Sequence, residues 1–414
     1  MRRTFSSLRY RNYRLFFGGQ AVSQVGSWMQ RFALGWYVLQ LTHDAFAVGI
    51  MALAQFLPFT VFGLFAGVLT DRLDARRLVI ATQAAQLVTA SALAWIALDG
   101  LAQAWMLYVI ALLNGTVLVL DVPSRQQLTY RMVGREALPN AIALNSSLFN
   151  ASRIFGPALA GVVYGLAGAG VCFLVNAISF LAVLIGLLAM RVRDFFALEE
   201  FERPSILGGT REGLAYVLRR PRLVVVLGLT VVLSTFCFNF NVTLPVLAYR
   251  TLHTQAEVYG ILSAVFGAGA LVGALVAAAV GRASARVMLV GSLVFTASEL
   301  LLAPVRGALL AGVLLFLTGA GFTAWSANSN ASMQLAAPDR LRGRLIGMYF
   351  YAFNGTGPVG GLLARWLCAA GGTELAFAVA GIAGLAGTAA AAGLLRQRPD
   401  AARLPHLQLR ERRA

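Results

Sequence analysis

The chain has 414 residues, of which 58% are hydrophobic and 12% charged, against about a quarter charged in an average soluble domain. With a mean hydropathy of +0.73, this composition excludes a soluble enzyme and leaves only the number of bilayer crossings to be settled. The net charge of +17, carried by 34 basic residues that are all arginine, does not mark a nucleic-acid binder: the arginines sit in short loops between apolar runs, as cytoplasmic loops of membrane proteins do.

The N-terminal M-R-R-T-F-S-S-L-R-Y-R-N-Y-R is read as a cytoplasmic lead into a first membrane helix, because the apolar run after it is too long for a signal-peptide core. A span needs roughly 20 apolar residues. Twelve stretches qualify: 13–41, 46–70, 76–98, 102–126, 138–165, 169–190, 222–249, 257–280, 285–305, 307–334, 342–368 and 373–395. Their connections alternate. One set is nearly free of arginine, with only Arg250 and Arg306 out of place; the other carries D-R-L-D-A-R-R, R-M-V-G-R-E, R-V-R-D, G-R-A-S-A-R and D-R-L-R-G-R. The positive-inside rule then places both termini in the cytoplasm.

The longest connection separates the sixth span from the seventh. Gly213, Leu214, Val217 and Leu218 form one apolar edge at helical spacing, which predicts a short amphipathic helix at the membrane surface. The expected organisation is a six-helix bundle over 1–190, a linker over 191–221, a second six-helix bundle over 222–396 and a basic tail over 397–414. The stretch from Asp121 to Gly161 has a weaker copy from Arg342 to Gly361, with Gly156-Pro157 opposite Gly357-Pro358. A helix pair that repeats once in this way points to two homologous halves. Glycines recur four apart, as at Gly63 and Gly67, Gly161 and Gly165, and Gly269 and Gly273, a spacing that lets membrane helices approach closely.

Charges at membrane depth are costly and mark working positions. Arg31 lies on the first span, Asp121 and Arg125 lie one turn apart on the fourth, and Arg153 lies on the fifth. Arginine does not give up its charge, so Arg31 and Arg153 each need a cavity, a carbonyl cluster or an anionic group. Asn114, Asn150, Asn239 and Asn354 fall at comparable depth and outline a polar girdle at the midplane, where secondary transporters bind substrate. Each asparagine serves equally well as interhelical glue. Glu299, near the outer end of the ninth span, is a candidate proton site. Cys172, Cys237 and Cys368 lie far apart in apolar runs, and the three histidines lack ligand spacing, so neither a metal nor a cofactor is expected. There is no phosphate-binding G-x-x-x-x-G-K-[ST] loop for direct ATP coupling.

The connection after the second span, G-V-L-T-D-R-L-D-A-R-R from Gly67 to Arg77, resembles the signature of the major facilitator superfamily at that place. Gly67, Leu69, Asp71, Arg72, Arg76 and Arg77 carry the likeness, and Asp74 stands where the family has glycine. S-R-I-F-G-P-A-L-A-G on the fifth span resembles the antiporter motif through Gly156, Pro157 and Gly161, with Ser152 in place of its first glycine. With S-W-M-Q-R-F-A-L-G-W-Y-V-L and L-D-V-P-S-R-Q, nearly the whole chain is similar to the branch that includes macrolide and multidrug efflux proteins and the enterobactin exporter. The resemblance implies an all-α integral membrane protein of the bacterial inner membrane, with twelve transmembrane helices in two pseudo-symmetric bundles. It implies a cytoplasmic gate of Gly67, Asp71, Arg72, Arg76, Asp121 and Arg125, with Asp71 docking near Arg342-Gly343; Asp121 is alternatively a proton carrier. The implied activity is proton-coupled efflux of a small amphipathic organic compound by a monomer, with Arg31, Arg153 and the midplane asparagines contacting substrate. Efflux of an anionic metabolite such as a siderophore stays open, as does lipid handling or sensing without ion-coupled turnover.

Overall fold

The computed structural model describes residues 5–71, 73–196, 206–279, 284–336 and 341–397, and these contain helices and no strand. That is what a bilayer demands of such apolar runs, because a helix satisfies every backbone donor and acceptor within itself. Helices α1 (Arg11–Thr42), α2 (Ala45–Asp71) and α3 (Ala75–Leu98) lie where the hydropathy places them. α1 stops at His43, whose left-handed backbone (φ 51°) returns its N–H to the Leu39 carbonyl.

The turn into α3 is held by Asp74. Its carboxylate caps the helix by accepting from the Arg77 amide at 2.9 Å and pairs with Arg131 at 3.0 Å. Burial alone pushes this carboxyl up. The Arg77 amide and the Arg131 side chain bond its ionised form, their charges add to this, and together they hold it below the usual carboxylate range. A group held low in the folded state stabilises at neutral pH and ceases to as the pH falls through its lowered value. Because the pair is partly exposed, its worth is below about 1 kcal/mol. Asp74→Asn should therefore speed amide exchange at Arg77 at pH 7, and the parent should reach the same intrinsic-corrected rate only in acid. Equal protection in both proteins at every pH would leave the pair without a role.

α4 (Ala104–Leu188) covers 85 residues, far too long for one crossing at about 1.5 Å per residue. It is broken at Gly134 (φ 68°) and Gly168 (φ 78°), both in the left-handed region that glycine enters without penalty. The loop expected around Arg131 to Glu136 is thus corrected to a break of one residue. Phe196 packs over it, with its N–H on the Arg131 carbonyl at 2.8 Å. A helix, α5 (Ile206–Leu218), follows; it buries Val217, leaves Leu214 and Leu218 exposed, and pairs Glu212 with Arg344.

α6 (Pro221–Phe236) opens with proline at its first turn. The seventh span, expected continuous over 222–249, is interrupted from Cys237 to Asn239 before α7 (Phe240–Val246). Asn239 causes part of this, since its side-chain amide bonds the Thr235 and Phe236 carbonyls and competes with the helix ladder. α8 (Ala256–Ala279), α9 (Ala285–Leu302, capped by Ser284) and α10 (Ala308–Ala336) follow. α11 (Arg342–Asn354) gives way to α12 (Gly357–Gln397), which is broken at Gly371–Gly372. Among the described residues, nine helical stretches are long and apolar enough to cross a membrane.

The chain packs as two units, one of Met1–Glu202 with Asn241–Gly267, the other of Arg203–Phe240 with Ala268–Ala414. In the first, Tyr13, Phe16, Val79, Leu128, Met132, Val183 and Leu187 form a buried cluster between α1, α3 and α4. In the second the core is aromatic: Phe238 stacks on Phe322 at 4.6 Å, and Phe295, Trp325 and Phe353 surround them. There α8 lies against α10 so closely that a Cβ at Gly269 or Gly273 would meet the Phe316 or Ala320 carbonyl oxygen.

Candidate functional site

The deepest charges of the first unit gather around one indole. Trp28 and Arg31 are one turn apart on α1, and the Arg31 guanidinium carbon sits 4.9 Å from the Trp28 ring centre. Arg153 on α4 sits 6.0 Å from the same ring and 4.7 Å from Phe266 on α8. Phe149 meets Trp28 edge-on at 5.6 Å. Arg31 is exposed although it lies in the middle of a membrane-length helix, and Arg153 is half-buried. Among the described residues no carboxylate pairs with Arg31. The arrangement is a cationic, aromatic wall, suited to a flat ring or an anionic group.

Small residues make this convergence possible. A Cβ on Gly156 would lie 2.4 Å from the Cβ of Trp28, and one on Gly267 would lie 2.9 Å from the Arg153 carbonyl oxygen. Gly161 is similarly close to Gly260 of α8, at 3.1 Å. Gly156, Pro157 and Gly161 therefore sit where the fifth-span part of α4 touches α1 and α8.

The girdle asparagines are less available than their depth suggests. Asn150, Asn239 and Asn354 each donate to a carbonyl four residues back in their own helix, at 2.9, 2.8 and 3.1 Å. Asn114 accepts from Thr89 at 2.8 Å and ties α4 to α3. Each of these bonds occupies part of an amide that substrate would otherwise meet.

A second polar cluster lies between α3 and α4. Asp121 is 1% exposed and meets Arg125 Nε at 2.5 Å, an ion pair without good hydrogen-bond alignment. Asp121 also accepts from Thr82 Oγ1 at 2.6 Å and Gln83 Nε2 at 3.0 Å. Arg76 is not brought to it: it donates to the Leu187 and Leu188 carbonyls at 3.0 and 3.4 Å, at the end of α4. Gly67 and Asp71 lie in α2 as backbone, while the Asp71 side chain, Arg72 and the side chain of Arg342 lie outside the described residues. In the second unit Glu299 on α9 is 1% exposed, touches the Cys237 thiol at the helix break, and has an Oε2 with no hydrogen-bond partner among the described residues. No cluster able to hold a metal occurs among the described residues.

Sequence reasoning missed Trp28, Phe266, Thr82, Gln83 and Cys237. Trp28 had a signal, three residues before Arg31 on one helix face. Thr82 and Gln83 had one too, as polar residues inside an apolar run. Phe266 and Cys237 had none, because their partners come from distant spans.

Residues 2–411 match the family described as transmembrane secretion effector. The chain is 24% identical over 292 residues to macrolide efflux protein A of Streptococcus pyogenes, covering 69% of this chain and 72% of that protein. It is 22% identical over 262 residues to the staphyloferrin A transporter of Staphylococcus aureus, covering 63% and 65%. Its fold is similar to that of a solved POT family transporter, with a TM-score of 0.75 at 12% identity, covering 95% of this chain and 97% of the other.

Proposed function

Because the chain belongs to the transmembrane secretion effector family of the major facilitator superfamily, we propose that it exports a small amphipathic organic compound from a bacterial cell by alternating access. It is a multi-pass membrane transporter and not an enzyme. The observation that carries the reading is the cluster of Arg31, Arg153 and Phe266 around Trp28 at mid-helix depth. One exposed and one half-buried guanidinium beside aromatic rings inside membrane-length helices support this reading, because secondary transporters hold cargo near the midplane.

The finer points belong to the same proposal. Twelve passes result if α1 is counted with the nine apolar stretches and if Asn140–Leu188 and Arg344–Gln397 are each two passes, broken at Gly168 and at Gly371–Gly372. They form two six-helix halves in the inner membrane, with both termini cytoplasmic and the protein monomeric. The driving force is proton antiport. Two carboxyl groups are offered as its carrier: Asp121, saturated with partners, and Glu299, nearly without them. An isolated buried carboxylate is expensive, which favours Glu299 as the place that holds a proton, and leaves Asp121 with Arg125 to the gate.

A second reading is favoured by the same arginines and by the relative named for staphyloferrin A: the cargo is an anionic metabolite. The test is collapse of ΔpH in inverted vesicles on adding dyes, macrolides or carboxylate and catechol siderophores. Charge-assisted contacts are worth about 1.5–3 kcal/mol, so Arg153→Ala should raise the half-saturating concentration of the responding compound by roughly ten- to a hundredfold. Glu299→Gln should abolish the proton signal while the compound still binds. A flat trace for every compound, with folded protein present, would count against export of both classes, and an unchanged response in Arg153→Ala would remove the cluster from the site.

A further inference from the structure

A cavity of about 130 Å³ opens in the first unit, beginning one turn before Trp28 on α1, lined by Gln20 and Gln24 of α1 and by Arg125, Gln126, Thr129 and Asn145 of α4. Three of its polar residues carry donors without an acceptor among the described residues. Gln20, 4% exposed, accepts from Arg125 Nη1 through Oε1 at 2.6 Å, which turns its Nε2 the other way, where it has no partner among the described residues. The Tyr13 hydroxyl donates to Asn145 Oδ1 at 3.0 Å, and among the described residues that amide's N–H groups have no acceptor. The Thr129 hydroxyl donates to the Arg125 carbonyl at 2.8 Å. Asp121 fixes the Arg125 guanidinium by its Nε, and among the described residues Nη2 has no acceptor.

Gln20 Oε1 and Asn145 Oδ1 each accept a bond, whereas Gln20 Nε2, the Asn145 amide N–H groups and Arg125 Nη2 have no acceptor among the described residues. A buried donor without a partner costs about 1–3 kcal/mol, so these three are met by one group that accepts from all of them. Asp121 cancels the formal charge of Arg125, so the field suits one negative charge rather than several. We propose that this cavity is a binding subsite for a monocarboxylate, held by Arg125, Gln20 and Asn145. The assignment is independent of the direction of transport and of the cargo held at Trp28.

The test uses the purified full chain in detergent and follows its thermal unfolding with added propionate, propionamide and inorganic phosphate at equal ionic strength. Propionate should raise Tm saturably, and propionamide and phosphate should not. Gln20→Leu should weaken the propionate response at least tenfold, and so should Asn145→Leu, which serves if Gln20→Leu fails to fold. Gln20→Glu, which puts a carboxylate into the cavity from within, should abolish the response. No saturable shift with propionate, an equal shift with propionamide or phosphate, or a response unchanged in the folded variants would each overturn the assignment.

Discussion

Asp121→Leu should destabilise the protein by about 3–5 kcal/mol, and Asp121→Leu with Arg125→Met should recover most of that loss. Asp121 is 1% exposed and answers groups from two helices: Arg125 at 2.5 Å on its own helix, and Thr82 and Gln83 at 2.6 and 3.0 Å on α3. Removing it leaves the Arg125 guanidinium, one-fifth exposed, with Gln20 as its hydrogen-bond partner among the described residues and no counter-charge. Most of the cost lies in stranding that charge, not in losing an attraction, because a buried ion pair is close to neutral against apolar replacement of both partners. The double variant removes the stranded charge, leaves the Gln83 amide on α3 without its acceptor and leaves the Thr82 hydroxyl with the Val79 carbonyl, so recovery should be large but incomplete. Asp121→Asn keeps an acceptor for Thr82 and Gln83 while losing the charge, and should fall between. Denaturant unfolding of the four proteins in detergent measures this. A double variant as unstable as Asp121→Leu would show that the α3 contacts, and not the ion pair, carry the stability.

That pair was legible in the sequence because both residues lie on one helix, one turn apart, where spacing alone brings them together. The helices were legible for the same local reason, since a bilayer-length apolar run shows itself in hydropathy. What lay further off was not. Arg76 reads as a gate residue in a basic turn, yet it caps the carbonyls of Leu187 and Leu188, more than a hundred positions along the chain. The break at Cys237 to Asn239 falls inside a run as apolar as its neighbours, and depends on an asparagine choosing its own backbone over solvent or substrate. The arginines at depth were visible, and so was Trp28 one turn before Arg31, but Phe266 beside Arg153 was not, because it is supplied by α8 from the other half of the sequence. Asp74 shows the converse: a departure from the family's glycine proves to be the cap of α3.

Gly156→Ala should lower stability by about 2 kcal/mol and abolish transport, although alanine is the better helix former by roughly 1 kcal/mol. The new Cβ would stand 2.4 Å from the Trp28 Cβ, 3.1 Å from the Val25 carbonyl oxygen and 3.4 Å from the Met29 amide nitrogen. None of these is the far end of a flexible side chain, so α1 itself must shift. Overpacking of this kind costs about 1–3 kcal/mol, and contact this short with fixed atoms calls for the upper end, which outweighs the gain in propensity. The functional loss should be greater than the energetic one suggests. Trp28 is the ring that both arginines face, at 4.9 and 6.0 Å, and any displacement of α1 moves it relative to Arg153 on the helix that does the pushing. Gly18→Ala is the matched control: it lies on the same α1, and a Cβ there meets nothing within 4 Å, so it should leave both stability and transport as they are or raise the first slightly. Thermal unfolding and the vesicle ΔpH signal, measured side by side, separate the two sites. If Gly156→Ala unfolds and transports like Gly18→Ala, then α1 and α4 do not meet at this glycine, and the fifth-span motif must act by some means other than close approach.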